Sequence, residues 1–71
     1  MASFKPKEVL SILQKLGFVR KRQTGSHVVM YNPNLKVNIA VPIHAKDLKR
    51  GLLLGITKQA NSSEEEFIKL K

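Results

Sequence analysis

Gly25-Ser26-His27 enters a β-like run two residues after the basic cluster Arg20-Lys21-Arg22. Histidine is the residue type able to carry a proton near neutral pH, and here it stands at the start of a strand beside concentrated positive charge. A polyanion drawn in by those cations would meet a general acid or base. RNA needs little more than that to be cleaved. Its 2′-hydroxyl attacks the adjacent phosphorus once a base removes its proton, and an acid protonates the departing 5′-oxygen. Lysine and arginine stabilise the charge that builds on the phosphoryl oxygens. His27 is therefore the candidate catalytic residue, with Arg20, Lys21 and Arg22 as phosphate contacts and Ser26 beside the imidazole.

His44, the second histidine, follows Pro42 in the loop before a second helix. A structural role in that loop or in capping the helix is the simpler account, and a second proton-transfer group is the functional one. Water or a lysine could fill that role instead. Other chemistries are poorly supplied. The potential metal ligands are two separated histidines, Asp47 and a few glutamates, so neither a metal nor another cofactor is expected. Gly51 and Gly55 lie within a leucine-rich segment and form no phosphate-cradling motif. Ser26 and His27, as strand neighbours, would point to opposite faces and make no hydrolase dyad by adjacency.

The chain that must position these residues has 71 residues and no cysteine. That length suits one small domain, residues 1–71, with a modest core and no disulfide or zinc–thiolate staple. Thirteen Lys and Arg against five Asp and Glu give a net charge of +8. Three of the acids, Glu64, Glu65 and Glu66, sit near the end, so residues 1–60 carry eleven basic and two acidic side chains. Such a surface attracts polyanions. No apolar run approaches the roughly 20 residues of a membrane span. The start, Met1-Ala2-Ser3-Phe4-Lys5-Pro6, lacks a secretory h-region. A soluble cytoplasmic protein with no membrane partner is expected.

The first element is an amphipathic helix. Pro6 suits its first turn, Val9, Leu10, Ile12, Leu13 and Leu16 fall on one arc, and Gly17 stops it. Three β-like runs follow, Phe18–Gln23, His27–Tyr31 and Lys36–Val41, each closed by turn formers. Their short links predict an antiparallel meander. In the second run Val28 and Met30 are assigned to the core, which leaves His27 and Tyr31 on the open side. A second helix is predicted from Lys46 to about Gln59, with Leu48, Leu52, Ile56 and Ala60 inward and Lys46 and Arg50 projecting opposite as an (i, i+4) pair. Leu53 and Leu54 widen its apolar surface, either as a broad core contact or as a patch for another chain. Ser62 with Glu65 has capping-box spacing for a short terminal helix, so the glutamates are read as caps. The fold class is α+β, in the order α-β-β-β-α, with a three-stranded antiparallel sheet covered by helices on one face.

These pieces, in order, resemble the HicA family of small toxins from type II toxin–antitoxin systems. The resemblance runs through Leu16-Gly17-Phe18, Arg22-Gln23-Thr24-Gly25-Ser26-His27 and Val41-Pro42-Ile43-His44. It continues through Leu48-Lys49-Arg50-Gly51, Ile56-Thr57-Lys58-Gln59-Ala60 and Ser63-Glu64-Glu65-Glu66-Phe67. It implies a fold like the double-stranded-RNA-binding domain. It also implies an mRNA interferase that cuts RNA without metal through His27, and a HicB-type antitoxin that covers the active site. The chain departs from the family in two places. Leu52-Leu53-Leu54 follows Gly51 where a polar residue is common, and Asn61 stands where a glycine is common. Ser26, Lys46 and Arg50 join the cluster at 20–22 as candidate RNA contacts. Two other readings share the basic surface: a non-catalytic module for structured RNA, and a small adaptor docking through its leucine-rich helix.

Overall fold

The computed structural model describes residues 3–71; Met1 and Ala2, part of the expected 1–71 domain, lie outside the described residues. The elements are α1 (Pro6–Lys15), β1 (Val19–Thr24), β2 (His27–Asn32), β3 (Val37–Pro42), α2 (Arg50–Gln59) and α3 (Glu64–Leu70). The sheet is an antiparallel meander in the order β1-β2-β3. This is the expected α-β-β-β-α order, an α+β fold with an open three-stranded sheet, extended by the short terminal helix.

Local chemistry sets the limits of α1. Pro6 occupies the first helical position, and the Glu8 carboxylate accepts a hydrogen bond from the Lys5 amide at 2.9 Å. Val9, Ile12 and Leu13 are buried, with Leu10 and Leu16 packed at the core's margin. At the far end Gly17 has φ +97°, its N–H donates to Gln14 O at 3.1 Å, and the Phe18 N–H donates to Leu13 O at 2.9 Å. These two bonds make a Schellman ending. They also explain why β1 begins at Val19 and not at Phe18. The Phe18 amide belongs to the helix end, and its ring is in the core.

The pleat of β2 sorts its side chains as expected. Val28, Met30 and Asn32 are buried, while His27 is exposed and Val29 and Tyr31 are half-buried. Val28 pairs with Val41 and Met30 with Ile39, so four apolar side chains form the sheet's share of the core. Asn32 is polar and buried, but satisfied. Its Oδ1 accepts from the amides of Asn34 at 2.8 Å and Leu35 at 3.0 Å, and its Nδ2 donates to Leu16 O at 3.4 Å. One side chain thus closes the β2–β3 turn and ties it to the end of α1. Lys36, expected to open the third strand, has φ +56° and donates to Asn32 O at 2.7 Å. It completes the turn, and β3 starts at Val37.

The second helix departs most from expectation. It starts at Arg50, not Lys46, because the preceding chain is held extended: the Leu48 amide donates to Phe4 O at 2.9 Å, and Lys49 has ψ 146°. Lys46 and Arg50 therefore form no helical (i, i+4) pair. The inward stripe is Leu53, Ile56, Thr57 and Ala60, and Leu52 is 43% exposed. A strict four-residue repeat drifts around a helix of 3.6 residues per turn, whereas spacings of three and four alternate along one face. Leu48 is buried from outside the helix.

The helix ends with Asn61 at φ +56° and the Ser62 amide donating to Thr57 O at 2.8 Å, a second Schellman ending built on Asn in place of Gly. The next cap is one residue later than expected. Ser63 Oγ accepts from the Glu66 amide at 3.1 Å, while the Ser62 hydroxyl donates to the Glu66 carboxylate. The core closes with Phe4 edge-on to Phe67, their ring centroids 6.3 Å apart. Among the described residues no helix is long and apolar enough to cross a membrane.

At Gly17 an added Cβ would meet Asn32 Nδ2 at 3.5 Å, an ordinary contact, so the cost of a side chain is conformational. Gly17→Ala should lower the unfolding free energy by about 1–2 kcal/mol, measured as a shift in urea midpoint at constant m-value.

Candidate functional site on the open sheet face

Thr24 pairs directly with His27, so Gly25 and Ser26 alone make the β1–β2 connection. Gly25 has φ +55° at the first of the two loop positions, where a primed hairpin turn calls for glycine. The tightness of this turn fixes His27 as the first residue of β2. On the other side His27 pairs with Pro42, and the Ile43 amide donates to Ser26 O at 2.8 Å. The imidazole is thus held between two strands at one end of the sheet, yet exposed to solvent. Ser26 Oγ, the ring's one side-chain hydrogen-bond partner among the described residues, lies 3.4 Å from His27 Nδ1.

A β-bulge in β1 determines which cations share this face. Arg20 pairs with Met30 and Arg22 with Val29, so Lys21 is the extra residue between them. Directly paired residues lie on one side of an antiparallel sheet. Arg22 and Thr24 are therefore on the side of Val29 and His27, and Arg20 is on the opposite side with Gln23, whose Oε1 accepts from Arg20 Nη2 at 3.0 Å. The bulge also turns Lys21 onto the open face. Its Nζ lies 5.3 Å from the centroid of the Tyr31 ring and 3.4 Å from Asn38 Oδ1. Regular alternation would have placed Lys21 opposite to both arginines. The bulge instead groups Lys21, Arg22 and His27.

The remaining sequence candidates lie elsewhere. His44 follows Ile43 at the His27 end of the sheet and is exposed, but no hydrogen bond joins the two imidazoles among the described residues. Lys46 is exposed in the segment before α2. Arg50, in the first turn of α2, forms a two-pronged pair with Glu64 at 2.7 and 3.0 Å, locking the starts of α2 and α3 together. Its fork is occupied by this contact. Strand alternation in the sequence puts Tyr31 on the open face, and Asn38 with Ala40 on the face opposite Val37, Ile39 and Val41, but assigns neither Tyr31 nor Asn38 to the site. The period of two from His27 to Tyr31 was the available signal. Among the described residues no cluster of three or more His, Cys, Asp or Glu could hold a metal ion.

The open face thus offers two cations, an aromatic ring and an exposed imidazole, a combination suited to binding an anion and moving a proton beside it. The Arg50–Glu64 pair makes a separate prediction. Because Arg50's side chain is about half exposed and Glu64's less so, Glu64→Gln should cost up to about 1 kcal/mol. The loss should shrink in high salt when thermal melts are compared at low and molar NaCl.

No curated protein matches the chain. A family model described as the HicA toxin of bacterial toxin–antitoxin systems matches residues 6–61. That span runs from the start of α1 to the Asn61 turn after α2, and includes the bulge, the Gly25-Ser26 connection and His27. Matched over most of its 71 residues, the chain belongs to the HicA toxin family of toxin–antitoxin systems.

Proposed function

We propose that this toxin is an endoribonuclease, a metal-independent mRNA interferase of the cytoplasm, formed by residues 1–71 as one domain. The observation that carries the reading is the exposed His27 on the same sheet face as Lys21 and Arg22. Those cations would hold the phosphate, and His27 would work at its edge. With Nδ1–H donated to Ser26 Oγ, the Nε2 lone pair takes the proton of a 2′-hydroxyl. The oxygen attacks the neighbouring phosphorus and the bond to the 5′-oxygen breaks, leaving a 2′,3′-cyclic phosphate. A protonated group then completes the departing 5′-hydroxyl. His44, at the same end of the sheet, is the candidate for that second transfer. Lys21 and Arg22 stabilise the charge on the phosphoryl oxygens during both transfers.

The other predicted contacts take lesser parts in this reading. Lys46 extends the basic surface, Arg20 contributes from the opposite side, and Arg50 reaches a phosphate only by leaving Glu64. Family membership implies an antitoxin partner. We assign the HicB type to it, acting by covering the open face. A non-catalytic module for structured RNA is the second reading. Its support is that His27 has one side-chain hydrogen-bond partner, Ser26, and no carboxylate partner among the described residues.

RNA cleavage in EDTA separates the two. Folded His27→Ala should lose cleavage by about 10²-fold or more while binding RNA within about twofold of the wild type. If neither protein cuts and both bind equally, the nuclease reading falls and the binding module replaces it. Ser26→Ala removes only a long contact to Nδ1. It should lower kcat a few-fold with KM unchanged, as expected for a residue that positions the imidazole.

A further inference from the structure

Tyr31 is the chain's one tyrosine, and there is no tryptophan. It lies half-buried on the face that carries His27, four residues further along β2, about 13 Å away at strand rise. Its surroundings on this face are small or apolar. Val19 pairs with it from β1, Asn38 from β3, and Val29 and Ala40 form the neighbouring pair toward His27. Val19 is 53% exposed and Ala40 is exposed. The result is a low apolar floor with one aromatic ring, bordered by Lys21 and Arg22.

Lys21 marks how this floor could be used. Its ammonium is 5.3 Å from the ring centroid and 3.4 Å from a neutral amide oxygen, and no carboxylate pairs with it among the described residues. Neither contact satisfies a cation as an anion would. A phosphate beside Tyr31 could draw the ammonium aside and open the ring to a base. Basic surfaces with aromatic platforms bind single strands, because an unpaired base presents its π-face. A duplex hides its base faces and is held through phosphates and 2′-hydroxyls, leaving an aromatic ring with nothing to stack on.

We propose that Tyr31 is the base-stacking platform of a single-stranded RNA site running along β2 from His27, with Lys21 as the phosphate contact beside it. The proposal rests on RNA being the ligand of the open face, and it adds that the ligand is unpaired there. Stacking would hold a base a few nucleotides from the phosphate at His27. It would therefore confine cutting to unpaired strand without reading its sequence.

The test uses the full chain carrying His27→Ala, so that binding is measured without cleavage. An oligoadenylate and a hairpin duplex of equal length are the probes. The oligoadenylate should quench the emission of Tyr31, after correction for absorption, and the duplex should not. Tyr31→Leu keeps an apolar body without a ring and should weaken oligoadenylate binding roughly tenfold or more. Tyr31→Phe should bind as tightly as the parent. Circular dichroism establishes that each variant folds, and if Tyr31→Leu does not, the quenching alone decides. Unquenched Tyr31 in the saturated complex, equal binding by the Leu and Phe variants, or equal quenching by the duplex would each overturn the proposal. The nuclease reading is judged separately by cleavage in His27-containing protein. A Tyr31→Leu enzyme that binds and cuts single strands like the parent sinks this proposal alone. Quenching by oligoadenylate with no cleavage by the wild type sinks only the nuclease.

Discussion

Val28, Met30 and Asn32 share one side of a six-residue strand, and their burial leaves His27, Val29 and Tyr31 only the open face. Because strand side chains alternate with a period of two, a one-residue slip would bury the imidazole and the phenol and expose the core residues. The register is held at both ends. Gly25 and Ser26 form a connection too short for slack, and Asn32 binds two turn amides while reaching the end of α1. The exposure of His27 is thus a consequence of packing several residues away. The chemistry of the face depends on hydrophobic burial beneath it.

Much of this could be read from the residues in order. The apolar arc of α1 and its Gly17 stop, the three β-branched runs and the alternation in β2 are local signals, and local geometry decided them. The start of α2 was illegible for a non-local reason: the Leu48 amide is claimed by Phe4, far away in sequence. The wrong inward residue, Leu52, came from extending a regular repeat back through a segment that is not helical. Capping was off by one because Ser62 and Ser63 are equivalent as letters. Only the backbone turn set by Asn61 decides which serine begins α3.

The candidate site was legible in part. A histidine after Gly-Ser beside clustered cations is a compositional signal. The sorting of those cations is a sheet property that no spacing reveals. A bulge separates Arg20 from Lys21 and Arg22, and the same bulge sets Lys21 against Tyr31. Arg50 is a similar case. It has the charge of a phosphate contact, but Glu64, fourteen positions later, holds its guanidinium. That pairing depends on how α2 and α3 meet. Charge counts predicted attraction to polyanions, while the placement of each charge needed the fold.

The bulge also bears on how copies of this protein meet one another. β1 is an outer strand whose six residues are all exposed, and its far side offers backbone groups that a second chain could pair with. Bulges and lysines on edge strands discourage such pairing, by bending the backbone away and by bringing like charges together. Lys21 supplies both the extra residue and one of the charges, with Arg20 and Arg22 on either side. Fibre-like stacking through this edge is thereby opposed. The three side chains that oppose edge pairing are the ones proposed to attract a polyanion, so a variant stripped of them would also be the stickier protein.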